Sequence, residues 1–247
     1  MKQWNSKDYP PQTFQDTALL CYRIDIKYLW IDSLCIIQVG EGSAEDWSLH
    51  VTEMQTVYSN GMLNITASRA ASSNEGMYSS RNPRLIKPAI IQGSNNLGMT
   101  NGLHLLINYQ MKPGVRSQRL NERGWVFQER LLSRRVIHFE EEQVYWQCCS
   151  STKCETYPAG YNKYFDYRFP FDLPKKNYCN GSAERWDSFT RLVHGYSGLR
   201  FTFPNKDKLA AFASIAQHIT HELDVRYVAR IWFSQLPVAL WYHPGLY

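Results

Sequence analysis

The chain has 247 residues, 44% of them hydrophobic and 20% charged, which allows a sizeable core and argues against a disordered segment. The net charge is +5, but the Lys and Arg residues are scattered and form no dense basic run, so no nucleic-acid partner is expected. No run of about 20 apolar residues occurs and Met1–Pro11 is polar, so neither a membrane span nor a secretory signal is expected; the six cysteines then read as reduced thiols in a cytoplasmic protein.

Residues Thr13–Asp25 place Phe14, Ala18 and Cys21 at helical spacing. Tyr28–Ile31 is a short continuous apolar run, the pattern of a strand buried on both faces. Ala44–Tyr58 predicts a helix striped by Trp47, Val51, Met54 and Tyr58 and ended by Asn60-Gly61. Met62–Ala67 predicts a strand. This order implies an α/β sheet. A helix ahead of the first visible strand ordinarily crosses over from an earlier one, so an N-terminal strand is expected to be missing.

Ser68–Arg119 is rich in Ser, Asn, Gly and Pro and reads as a loop-rich, β-containing insertion with a strand at Leu103–Ile107. Asn121–Leu132 predicts a short helix. Arg134–Phe139 and Gln143–Cys148 predict a hairpin turned at Glu140-Glu141-Glu142. Ser150–Gly181 reads as irregular. Helices follow at Ala183–Gly195 and at Asp207–Glu222, the second capped by Asp207 and striped by Leu209, Phe212, Ala216 and Ile219. Tyr227–Trp241 reads as buried helix. The expected fold is therefore α/β: a partly parallel sheet flanked by helices, with a β-rich insertion and a helical C-terminal part. The expected division is a core over residues 11–160 and a helical extension over 161–247, packed on that core.

Two stretches carry a family resemblance. Tyr28-Leu29-Trp30-Ile31-Asp32-Ser33-Leu34-Cys35-Ile36-Ile37-Gln38, followed by Asp46-Trp47, Met54 and Val57-Tyr58-Ser59-Asn60, resembles the central motif of fungal heterokaryon-incompatibility (HET) domains. Arg123-Gly124-Trp125-Val126-Phe127-Gln128-Glu129-Arg130-Leu131-Leu132-Ser133, continuing into Arg135-Val136, His138-Phe139, Trp146 and Cys148, resembles that family's second block. The family usually opens with a strand bearing a Ser-Tyr-x-Trp-Gly-type motif that this chain lacks, and His50 stands where relatives often carry an acidic or amide residue. The resemblance implies a role in fungal non-self recognition and programmed cell death, through protein partners or self-assembly. It also implies a fold similar to Toll-receptor-type (TIR) domains, and by that analogy NAD as a substrate to be cleaved, with no resident cofactor and no metal. A non-enzymatic assembly module and an inactive truncated copy are the alternatives.

Several residues are candidates for chemistry. Asp32 follows the predicted strand, where ligands of open α/β sheets bind; it could hold a ribose hydroxyl or cap the next turn. Glu129 could stabilise an oxocarbenium-like centre as a C–N glycosidic bond breaks, or pair with Arg123 or Arg130. Arg123 would bind phosphate or anchor Glu129, and Trp125 either flanks a nucleotide base or packs in the core. Cys35 with His50 would make a thiol–imidazole pair only if the two met; otherwise Cys35 is a small buried hydrophobe and His50 a half-buried histidine. Cys148-Cys149 with Cys154 lacks the spacing of a zinc site.

Overall fold

The computed structural model describes residues 9–82, 86, 89–92, 103–106, 119–148, 150–160, 182–223, 226–228 and 231–232. Helix α1 (Gln12–Arg23) begins after Pro11. Its buried residues are Asp16, Thr17 and Cys21; Phe14 is only half-buried and Ala18 is exposed, so the expected stripe is corrected by about a quarter-turn. The cause is polar. Asp16 accepts hydrogen bonds from Gln12 Nε2 at 2.7 Å and from the Met77 N–H at 2.9 Å, and so holds the segment around residue 77 against the helix. Gly76 has φ +73°, and a Cβ there would lie 2.6 Å from Asp16 Oδ2, so a side chain at this position is both strained and crowded.

The expected strand Tyr28–Ile31 does not form. Ile31 is extended, but no described strand pairs with this segment, and Tyr28 is 91% exposed. Asp25 at φ 57° and the Ile26 N–H bonded to Cys21 O turn the chain off α1, and the apolar run becomes a connector into helix α2 (Asp32–Cys35). Local hydrophobicity cannot supply the ladder that makes a strand. Helix α3 (Ser43–Asn60) follows, starting after Gly42 at φ 79° and ending before Gly61. Its stripe runs as read, with Met54 buried and Trp47, Val51 and Tyr58 half-buried.

Strand β1 (Asn64–Thr66) leads to a separate two-stranded pair, β2 (Ala89–Gln92) with β3 (Leu103–Leu106), inside the insertion. A 3-10 turn at Arg119–Glu122 enters helix α4 (Gly124–Leu132). Strands β4 (Arg135–Phe139) and β5 (Val144–Cys148) form the expected hairpin. A further strand, β6 (Thr152–Cys154), lies in the stretch read as irregular; residues 161–181 lie outside the described ones. The main sheet runs β1-β4-β5-β6. Its β1–β4 pairing is parallel, with Ile65 opposite Ile137, and its other two pairings are antiparallel. The sheet is thus partly parallel within an α/β chain, as expected.

Helices α5 (Ser182–Ser197) and α6 (Pro204–Leu223) make up the C-terminal helical part. Asp207 is not the cap: α6 starts at Pro204, and the N–H groups of Lys206 and Asp207 bond to Phe203 O. Proline suits the first helical position because its missing N–H has no helical partner to lose. Phe212, Ile215, Ala216 and Ile219 are buried while Leu209 is 48% exposed, so the stripe starts one turn later than read. These residues join Phe127, Leu192 and Tyr196 in one core cluster, against which Trp125 and Phe201 pack. Of the expected helix at Tyr227–Trp241, the described residues form instead two short antiparallel strands, β7 (Tyr227–Val228) and β8 (Ile231–Trp232); residues 229–230 and 233–241 lie outside the described ones. Aromatic and β-branched side chains favour strand over helix there.

Candidate functional site

Helix α4 is fixed at both ends. Its leading residue Arg123 bridges in parallel to Arg200, and Gly124 donates its N–H to Arg200 O at 3.0 Å. A Cβ on Gly124 would lie 1.8 Å from Phe201 Cζ, so glycine is required for the two segments to meet. At the other end, Asn64 Nδ2 on β1 reaches Glu129 O at 3.4 Å and Ser133 Oγ at 3.1 Å, and Ser133 Oγ donates to the same Glu129 carbonyl at 2.6 Å. Strand β1 and helix α4 are thereby joined at the backbone of Glu129.

The Glu129 side chain is acted on by groups from three other parts of the chain. Burial pushes its carboxyl up from 4.5 to about 7; the Asp32 carboxylate pushes the same way, while a hydrogen bond from the Tyr58 hydroxyl and the charge of Arg123 oppose it. Tyr58 is itself driven well above the usual phenol range, by burial first and then by Glu129 and Asp32. It stays a neutral donor. Its ring meets Trp30 edge to face at 5.8 Å, and Trp30 lies two residues before Asp32. Asp32 opens α2 and is exposed, with one carboxylate oxygen accepting the Ser33 N–H at 2.6 Å.

Three of the sequence candidates, Asp32, Arg123 and Glu129, therefore share one electrostatic site. Arg123 is exposed, and its positive charge favours the ionised form of Glu129. Arg130 Nη1 reaches Asn121 Oδ1 at 3.3 Å. Trp125 packs edge to face on Trp47 at 5.4 Å and against the helical core. Tyr58 was read from the sequence as part of an apolar stripe and of the family's central motif, with no role given to its hydroxyl. Its hydroxyl was the missed signal, because a half-buried phenol ordinarily has a hydrogen-bond partner.

The thiol–imidazole pairing finds no support. His50 Nε2 lies 3.6 Å from Asp46 Oδ1, one turn back on its own helix. Cys35 is exposed rather than buried; Ile36 is the buried residue there, and the Ile37 N–H is held by Asp46 Oδ2 at 2.8 Å. Cys148 is of more interest. Burial would raise its thiol, but hydrogen bonds with Ser150 and Ser151 outweigh this and bring it down to about 6.

Residues 3–129 match the heterokaryon incompatibility protein (HET) family, a span of more than half the chain that ends on Glu129. The chain belongs to the HET family. No curated protein and no solved structure matches it. The matched span of this HET chain takes in Asp32, Tyr58, Arg123 and Glu129, so the whole electrostatic site lies within the family's region. Helices α5 and α6, which bury Phe127 of α4, lie beyond it.

Proposed function

We propose that this HET domain is a cytoplasmic effector of fungal non-self recognition that drives cell death by hydrolysing NAD at the Asp32–Glu129 site, with residues 11–160 as the core and 161–247 as an extension packed on it. The observation carrying this reading is the carboxyl of Glu129, poised at about 7 beside Asp32 and Arg123. A general base is most effective with its pKa near the working pH. In the proposed reaction the ribose–nicotinamide C–N bond breaks and its electron pair leaves with neutral nicotinamide. Ionised Glu129 stabilises the positive charge left on the sugar. Water adds its oxygen to that carbon and passes a proton to Glu129, which returns it to solvent. Asp32 binds a ribose hydroxyl, Arg123 the pyrophosphate, and Trp125 holds α3 against α4. The analogy to TIR-like domains supports NAD as the substrate and is an analogy of fold.

The test is nicotinamide release from NAD over a range of protein concentrations. The expected result is release that rises with pH through about 7 and falls at least about a hundredfold in Glu129→Gln. A folded parent that releases none at any concentration would sink the enzymatic reading. A non-enzymatic assembly module would then stand. The exposed Tyr22, Ile24, Tyr28 and Leu29 favour that second reading, since adjacent exposed apolar residues mark protein-binding surfaces.

A further inference from the structure

We infer that Arg200, from the segment between α5 and α6, completes the anion-binding half of this site: it stands beside Arg123, and the two guanidinium groups together hold a diphosphate. The diphosphate as part of the substrate rests on the reading above, but the anion site can be measured without turnover. Arg200 lies outside the span that matches the family, residues 3–129, so the C-terminal helical part supplies a binding residue that the matched region does not contain.

The backbone sets the two side chains together. Arg123 and Arg200 form a parallel bridge, closed by the Gly124 N–H on Arg200 O at 3.0 Å and by the Arg200 N–H on Glu122 O at 2.6 Å. Backbones paired in this way run about 4.8 Å apart, and residues in register present their side chains to the same face. Leu199 and Phe201, on either side of Arg200, pack against the helical core. Alternation therefore turns Arg200 the opposite way, and its side chain is 82% exposed. Arg123, its partner in register, is exposed as well. Two like charges side by side repel and cost stability unless an anion lies against them. Glu122 supplies one carboxylate, its Oε2 at 3.4 Å from Arg200 Nε. One carboxylate against two guanidinium groups leaves the pair positive and open to solvent. Adjacent guanidinium forks match the oxygens of adjacent phosphates through paired, charge-assisted hydrogen bonds. Glu129 stands on the same helix that Arg123 leads, about 9 Å further along it, so the diphosphate and the sugar of a nucleotide meet Arg123 and Glu129 in turn.

The experiment is a calorimetric titration of the full chain with inorganic pyrophosphate, in the parent, Arg200→Gln, Arg200→Lys, Arg123→Gln and Glu122→Gln, followed by kcat and KM for nicotinamide release from NAD in each. Arg200→Gln and Arg123→Gln should each weaken pyrophosphate binding about tenfold. Arg200→Lys should weaken it less, because the charge stays and only the fork is lost. Glu122→Gln removes the competing carboxylate and should tighten it. For NAD, Arg200→Gln should raise KM about tenfold and leave kcat little changed, as for a group that holds substrate and transition state alike. A parent that does not bind pyrophosphate overturns the proposal, and so does an Arg200→Gln chain that binds it as the parent does. If Arg200→Gln does not fold, Glu122→Gln decides, and an affinity no tighter than the parent's overturns the proposal equally. Affinities that change as stated without nicotinamide release leave the anion site standing and remove only the enzymatic reading. Release with an unmoved KM in Arg200→Gln does the reverse.

Discussion

Glu129 binds its proton more tightly in the folded chain than in the unfolded one, because its carboxyl rises from 4.5 to about 7 on burial beside Asp32. Its contribution to stability is therefore complete below about 4.5 and is lost as pH climbs through about 7. The loss amounts to at most about 3 kcal/mol. Glutamine keeps the shape and cannot ionise. Urea denaturation of Glu129→Gln and the parent should show their difference moving in the variant's favour from about pH 4 to about pH 8 by up to that amount; a difference independent of pH would contradict the assigned environment. Asp32, Arg123 and Glu129 were legible in the sequence because each is a charged residue inside a recognisable motif. Tyr58 lies in the same motif, but its place on the apolar stripe of α3 accounts for its ring and says nothing of its hydroxyl. Cys35 was misjudged for a related reason: apolar neighbours in sequence do not fix which way a four-residue helix faces.

Among the elements, α4 carries the tightest steric constraint. Gly124→Ala would drive a methyl into the Phe201 ring, and a rigid aromatic within a packed cluster yields poorly. Thermal unfolding should show a loss of about 1–3 kcal/mol, partly recovered by trimming the ring in Gly124→Ala/Phe201→Leu; an unchanged melting temperature would mean the two segments part easily. Helices α3 and α4 and the β4–β5 hairpin were readable from the sequence, since helical period and a tight charged turn are local signals. Tyr28–Ile31 was not, because whether an apolar run becomes strand or connector is decided by a partner elsewhere in the chain. Strand β6 was overlooked for a different reason. It is three residues long, and its alternation of buried Thr152 and Cys154 about half-buried Lys153 is too brief to stand out against its irregular surroundings.

In the molecule as a whole, α4 links two bodies of structure: it shares the core of α5 and α6 through Phe127, and it is tied to the sheet through Asn64. The β5–β6 edge of the sheet has a tie of its own. Glu155 accepts the Val144 N–H at 2.7 Å and pairs with Arg81, while Arg69 pairs with Glu141 at 2.9 Å, so the chain after β1 is clamped to the hairpin by charge. The α/β class, the insertion and the helical C-terminal part were legible because each is a property of a long stretch. The strand order was not, because pairing is a relation between distant segments.

The parallel pairing of β1 with β4 spans the whole insertion, whereas β4, β5 and β6 follow one another closely. In kinetic terms, closing the long loop costs more chain entropy before any contact repays it. The β4–β6 meander should form early and β1 should dock late. Tyr145→Leu, in the meander, should slow refolding, and Ile65→Ala, in β1, should mainly speed unfolding; stopped-flow rates showing the reverse would overturn this order. Since Asn64 of β1 holds the Glu129 backbone, the strand expected to dock last is also the one that fixes Glu129, and a chain halted before that step would carry the β4–β6 meander with Glu129 unanchored.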